Sequence, residues 1–202
     1  MANYPKRLAW IDLEATGLPV GNDYTEVHLL EIAVIVTDLD LNKRVGYVEV
    51  AKMTPEAAAV VRSNKFVRDM HALSGLLRDS IQNATLTTGE IEAEIIDLFQ
   101  EEGEPGDFMI AGSGVAAYDH PWIKHHMPDL NTWLVYYPFD IGVMRRTSKI
   151  LAGREIVSHT SMSYGDEKTH RALDDIQAHL EEARKYQAVF REVFPRCVTW
   201  RA

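Results

Sequence analysis

Asp12 and Glu14 are two carboxylates one residue apart. They follow the apolar run Leu8-Ala9-Trp10-Ile11 and precede Thr16-Gly17-Leu18. In a strand, side chains alternate between faces, so Asp12 and Glu14 share one face and Leu13 takes the other. Like charges side by side at the end of an apolar strand repel, and each costs desolvation energy. A divalent metal ion is the simplest group to offset both. A strand end with solvated acids has the same pattern, so the pair becomes informative only with partners from elsewhere in the chain.

Three later residues offer themselves. Asp119 follows the apolar segment Phe108-Met109-Ile110-Ala111-Gly112 and sits near a helix start. That is the carboxyl end of a strand, where open α/β sheets place their ligands; an Asp there can equally cap the helix. Asp175 lies on the last helical segment, where a solvated face is the alternative in a chain with 30 acidic residues. Asp174 points elsewhere on that helix and reads as surface. His170 stands at the helix start, and an imidazole with a pKa of about 6.5 can accept a proton at neutral pH. A surface histidine is its alternative reading, since the chain has eight.

The elements that must hold these residues follow from pattern. Residues 7–14 read as a first strand and 27–38 as a second, β-branched through Ile32-Ala33-Val34-Ile35-Val36-Thr37. Residues 44–50 alternate as a third strand after the Asn42-Lys43 turn, which suggests an antiparallel meander. Thr54 and Pro55 open a helix. Residues 64–80 read as helical with a break at Ser74-Gly75, and Thr87-Thr88-Gly89-Glu90 is a capping box opening a helix to about Glu101. Strand 108–112, helix 118–127, a strand candidate at 134–139 containing Pro138, and helix 141–151 follow. A loop at 154–168 and a long amphipathic helix from Thr169 to Phe194, stopped by Pro195, complete the chain. Strands first, then helices interleaved with strands, imply an α/β fold with a mixed sheet.

At 202 residues the chain is expected to form one domain, 1–202, with a substantial core. Its formal charge of −9 argues against a broad non-specific duplex binder, which would carry a basic surface. Bound cations can still draw a short phosphate strand onto an acidic protein. Cys197 is the single cysteine, so no intrachain disulfide forms, which fits a reducing cytoplasm. No signal peptide or membrane-spanning run is read in the sequence.

The set Asp12-x-Glu14-x-Thr16-Gly17, Asp119 and His170-x-x-x-x-Asp175, in that order, resembles the DEDDh family of 3′→5′ exonucleases, with the oligoribonuclease branch most similar. The branch resemblance rests on Trp10-Ile11-Asp12-Leu13-Glu14-Ala15-Thr16-Gly17-Leu18, Leu30-Glu31-Ile32-Ala33, His71-Ala72-Leu73-Ser74-Gly75-Leu76, Met127-Pro128-Asp129-Leu130 and Thr169-His170-Arg171-Ala172-Leu173-Asp174-Asp175-Ile176. It implies an RNase H-like fold with a mixed five-stranded sheet flanked by helices. It implies two divalent ions, Mg²⁺ or Mn²⁺, bridged by Asp12. Glu14 and Asp175 would hold one ion, Asp119 would hold the other directly or through water, and His170 would be the general base. It implies a homodimer acting on short single-stranded RNA and releasing 5′-mononucleotides. Thr16, Gly17, Leu18, His71 and Tyr136 become candidate substrate contacts, with Leu18 as a wedge between terminal bases or simply packed under its loop.

The chain departs from that branch at two places. Ser113-Gly114-Val115-Ala116-Ala117-Tyr118 is lengthened and less polar than expected before Asp119. In Tyr136-Tyr137-Pro138-Phe139-Asp140-Ile141-Gly142, Tyr137 and Gly142 stand where a Y-R-Y-L-D-x-S pattern has arginine and serine. A phosphate cap from those two groups is therefore in question, and Arg145, Arg146 and Lys149 are either substitutes or a solvated helix face. Two competing readings stand beside the exoribonuclease: a proofreading-type 3′→5′ DNA exonuclease, since nothing in the sequence reads the 2′-hydroxyl, and a nucleotide-binding module without hydrolysis.

Overall fold

The computed structural model describes residues 4–151 and 170–193. The expected loop at 154–168, the helix stop at Pro195 and Cys197 lie outside them. Five strands form one mixed sheet: β1 (Arg7–Ala15), β2 (Leu29–Thr37), β3 (Lys43–Val50), β4 (Phe108–Gly112) and β5 (Phe139–Asp140), in spatial order β3-β2-β1-β4-β5. The first three pair antiparallel, as the meander predicts, while β4 joins β1 in parallel and β5 joins β4 in parallel. β1, which carries Asp12 and Glu14, is thus the central strand.

Strand alternation divides the core. Ala9 and Ile11 of β1 belong to one cluster, with Ile91, Ile95 and Phe99 of α4 (Thr88–Glu102) and Trp122 and Ile123 of α5 (Asp119–His126). Leu8 and Trp10 belong to the other, with Ala33 and Ile35 of β2 and Ile176, Leu180 and Tyr186 of the last helix, α8 (Ala172–Val193). Asp12 and Glu14 continue the Leu8–Trp10 face, so they lie on the side of the sheet covered by α8. Phe99 stacks on Phe108 with ring centroids 4.1 Å apart, holding α4 to β4; such a pair contributes about 0.5–1.5 kcal/mol beyond its buried area.

The other helices among the described residues are α1 (Pro55–Ser63), α2 (Lys65–Leu73), α3 (Leu76–Gln82), α6 (Pro128–Asn131) and α7 (Ile141–Leu151). Thr54 caps α1, and Thr87 with Glu90 makes the expected capping box on α4. Gly75, at φ +78°, takes the left-handed conformation that turns α2 into α3.

Two expectations need correction. Of the 134–139 stretch, only Leu134 makes a bridge, to Phe108, and only Phe139–Asp140 forms a strand. Pro138 has no N–H to donate to a ladder, and Tyr136 is 87% exposed. The last helix begins at Ala172 rather than Thr169, because His170 holds φ +48°, which ends helical geometry. Among the described residues, no helix is long and apolar enough to cross a membrane.

Candidate active site

The C-terminal half of β1 projects Asp12 and Glu14 towards α8. Ala172, Ile176 and Leu180 press α8 against Trp10, Ala33 and Ile35, and this packing delivers Asp175, one turn into the helix, to the same place. One carboxylate oxygen each from Asp12, Glu14 and Asp175 lies within 4.8 Å of the others. Glu14 is buried and the other two are half-buried, whereas Asp174 is exposed, as helix geometry predicts. Three converging carboxylates and no sulfur or nitrogen donor suit a hard divalent cation.

Asp119 stands apart from this cluster. It is the first residue of α5, and Tyr118, not Asp119, occupies the cap position. Its Oδ1 accepts a hydrogen bond from the Leu13 N–H at 3.1 Å, so it touches β1 between the two acids. Burial pushes its carboxyl well above the usual carboxylate range and the negative charge of Asp140 adds to this, while its own amide and that of Leu13 pull the other way.

The loop leading to Asp119 is fixed from several sides. Both Asp140 carboxylate oxygens accept from the Gly114 N–H at 3.1 Å, and Oδ1 also accepts from the Val143 N–H at 3.0 Å. The Tyr24 hydroxyl donates to the Ala117 carbonyl at 3.1 Å, and His126 Nε2 donates to the Tyr24 carbonyl at 2.8 Å. At Gly112 a Cβ would stand 2.5 Å from Val115 Cγ1 and 3.1 Å from the Ile11 carbonyl, so only glycine lets the loop start there. At Gly142 a Cβ would meet Ser113 Oγ at 2.7 Å and Asp140 Oδ1 at 3.1 Å, so the serine of the related pattern would have to displace the Ser113 hydroxyl. Asp140 was not singled out in the sequence; its signal was an aspartate directly before a helix.

His170 is half-buried just ahead of α8 and lies near His71, whose pKa is lowered chiefly by burial. His71 itself is a correction. It is fully buried, its Nε2 donates to the Ala15 carbonyl at 3.2 Å and lies 3.8 Å from Glu14 Oε2. Set on the inner side of α2, it supports the end of β1 instead of presenting a surface to a nucleotide.

A cleft of about 470 Å³ opens beside Glu14 and Asp119, lined among others by Gly17, Leu18, Phe66, Met70 and Tyr118. A second hollow of about 240 Å³ shares Gly17, Leu18 and Asn64 with it. Leu18 is 72% exposed between the two, the position a wedge needs. Thr16 is different: it is fully buried, its hydroxyl accepts from the His28 N–H at 3.0 Å and its own N–H donates to the His28 carbonyl at 2.9 Å. It clasps the loop at the edge of the second hollow. Phe66, 75% exposed on α2, was missed; an aromatic next to buried Val67 at a helix start was its only signal. Tyr136 does not line the cleft. The chain at 134–140 runs along the outer edge of β4, and Tyr136 packs edge-on against Tyr137. Arg145 is also corrected: its Nε donates to Glu182 Oε1 at 2.7 Å and its Nη2 to Oε2, and Glu182 is fully buried.

The sequence profile described as Exonuclease matches residues 9–183. The chain belongs to the exonuclease family. An oligoribonuclease from Mycobacterium bovis is 33% identical over 181 residues, spanning 89% of this chain and 79% of the relative. One from Leifsonia xyli subsp. xyli is 32% identical over 188 residues, spanning 93% and 85%. Among solved structures, a zinc-bound E. coli exonuclease I–single-stranded DNA complex superposes with a TM-score of 0.63 at 16% identity, covering 96% of this chain. This chain spans only 42% of that one, so the likeness concerns the fold. The chain is thus a 3′→5′ exonuclease of the oligoribonuclease-like kind, on a mixed-sheet RNase H-like fold, and the exonuclease family with this fold uses divalent metals.

Burial drives the pKa values of His71, His120 and His126 below the usual histidine value. The folded chain therefore holds them neutral, while the unfolded chain takes up protons near pH 6.5. Their contribution to stability is complete above about pH 6.5 and is lost as pH falls through their lower folded values. The urea midpoint should fall less in His126→Gln than in the unchanged chain as pH drops below about 6.5. An identical pH dependence in the two proteins would contradict the assignment.

Proposed function

We propose that this exonuclease, acting as a single domain, removes 5′-mononucleotides from the 3′ end of short single-stranded RNA. The observation that carries the reading is the convergence of Asp12, Glu14 and Asp175 beside a cleft walled by Leu18 and Phe66. Two Mg²⁺ or Mn²⁺ ions, once bound, would supply a water-derived nucleophile and relieve charge on the leaving 3′-oxygen. In this proposal Asp12 contributes to both ion sites, Glu14 and Asp175 to one, and Asp119 to the other. His170 takes the proton of the attacking water. The hydroxyl adds to phosphorus, the P–O3′ bond breaks, and the phosphate stays on the 5′ side of the released nucleotide. Leu18 inserts between the last two bases, and Phe66 offers one of them a stacking face.

The single cysteine supports a cytoplasmic setting. The relatives named oligoribonuclease favour RNA, while the exonuclease I complex holds single-stranded DNA on the same fold. Digestion of 5′-labelled RNA and DNA, from dinucleotide to long oligomer, separates these readings. Short RNA should be consumed fastest, with stepwise loss of 3′ nucleotides, and EDTA or Asp12→Ala should abolish release. Phe66→Ala should weaken substrate binding by about 1–3 kcal/mol, read as a raised KM. Full activity in EDTA or in Asp12→Ala would sink the metal mechanism, and faster digestion of matched DNA would replace the RNA assignment.

We also propose a homodimer. Trp133 and Leu134 are core residues, but Tyr136 is 87% exposed beside the short edge strand β5. A second copy covering that edge would bury it and bring Tyr136 towards the partner's substrate. Sedimentation equilibrium should give twice the chain mass, and Tyr136→Glu should shift it towards the monomer. A monomer at micromolar concentration contradicts this.

A further inference from the structure

A second set of charges lies directly behind the acidic cluster. Glu31 of β2 is the cross-strand partner of Glu14. Opposed residues share a face with Cβ atoms about 4.5–5.5 Å apart, and like charges there destabilise the sheet. Glu31 is nevertheless 1% exposed. Among the described residues its compensation comes from the start of α8. Arg171 Nε donates to Glu31 Oε1 at 2.9 Å and Oε2 at 3.1 Å, and Nη2 donates to Oε1 at 2.6 Å. The Ala172 N–H donates to Oε2 at 2.8 Å. Arg171 Nη1 reaches Asp79 Oδ2 of α3 at 3.3 Å. Glu31 therefore acts as the cap of α8 from another strand: a buried carboxylate at the positive end of a helix, with a planar fork closing it.

Both groups supplied by this part of the chain hang from that junction. His170 immediately precedes Arg171 and holds φ +48°, a conformation that persists only where its surroundings fix it. Asp175 follows one turn later, its N–H donating to the Arg171 carbonyl at 3.2 Å. We propose that Glu31 and Arg171 are a positioning pair, which sets the distance of Asp175 from Asp12 and Glu14 and the approach of His170 to the site. Neither residue touches substrate. Glu31 holds its place by ionic contacts that a hydrophobic contact could replace for stability but not for alignment: core packing seats α8 on the sheet, and the fork adds a directional tie at its first turn, from which His170 and Asp175 extend.

The proposal rests on the metal-dependent exonuclease reading, and its test separates the two. Mn²⁺ binding is measured by the loss of free-ion EPR signal, alongside kcat, KM and thermal midpoints, for the full chain and for Glu31→Gln, Arg171→Lys and the double variant E31Q/R171M. The uncharged pair in the double variant can pack without a buried unpaired charge, so its thermal midpoint should recover towards that of the unchanged chain. Its Mn²⁺ dissociation constant should stay raised by about 10-fold or more and its kcat lowered by a similar factor, the range seen when groups behind metal ligands are removed. KM should change little, since the cleft walls are untouched. Arg171→Lys keeps the charge without the fork and should show the same split if Glu31→Gln fails to fold. Wild-type Mn²⁺ affinity and kcat in a folded double variant would overturn the proposal and leave a purely structural pair. An unchanged chain that binds Mn²⁺ but cleaves nothing would overturn the exonuclease reading instead, while the Mn²⁺ affinities would still judge the pair.

Discussion

Repulsion between carboxylates is the constraint on which this structure depends. Asp12, Glu14 and Glu31 project from adjacent strands onto one face, and Asp175 is lowered onto them by α8. Such a grouping costs desolvation and Coulomb energy in the folded chain. The cost divides in two: Glu31 is neutralised internally by Arg171, whereas Asp12, Glu14 and Asp175 converge with their oxygens aimed at a common point. A hard cation would offset that convergence directly.

The rest of the molecule holds this arrangement still. β1 is central: β2 pairs with it as far as Ala15, β4 pairs with it as far as Trp10, and beyond β4 the Leu13 amide is taken by Asp119; the two cores leave α8 and α5 on opposite faces of the sheet. Asp175 and Asp119 thus reach the end of β1 from different layers, and Leu13 touches Asp119 through its amide while its side chain joins the α5 side. The cleft walls are less committed: Leu18 and Phe66 are exposed apolar groups with open volume around them.

Much of this was legible in the sequence because it depends on local periodicity. Alternation put Asp12 and Glu14 on one face and Leu13 on the other, and the helical period separated Asp175 from Asp174. The caps at Thr54 and Thr87 gave helix starts for the same reason. What failed depended on tertiary partners. His71 and Thr16 are polar residues near the motif, and nothing local reveals that Ala15, His28 and burial claim them. Arg145 read as an exposed cation because its counter-ion, Glu182, lies 37 residues away on another helix. The start of α8 was misplaced because Glu31 of β2, not a neighbour in sequence, caps it.

The central claim is that Asp12, Glu14 and Asp175 form a divalent-cation site. Anomalous diffraction from crystals soaked in MnCl₂ tests it most directly. The account predicts a Mn²⁺ peak within coordinating distance, about 2.2 Å, of an oxygen from each of the three carboxylates, lost in Asp12→Ala. Fully occupied manganese elsewhere, with no peak between these three side chains, would contradict it.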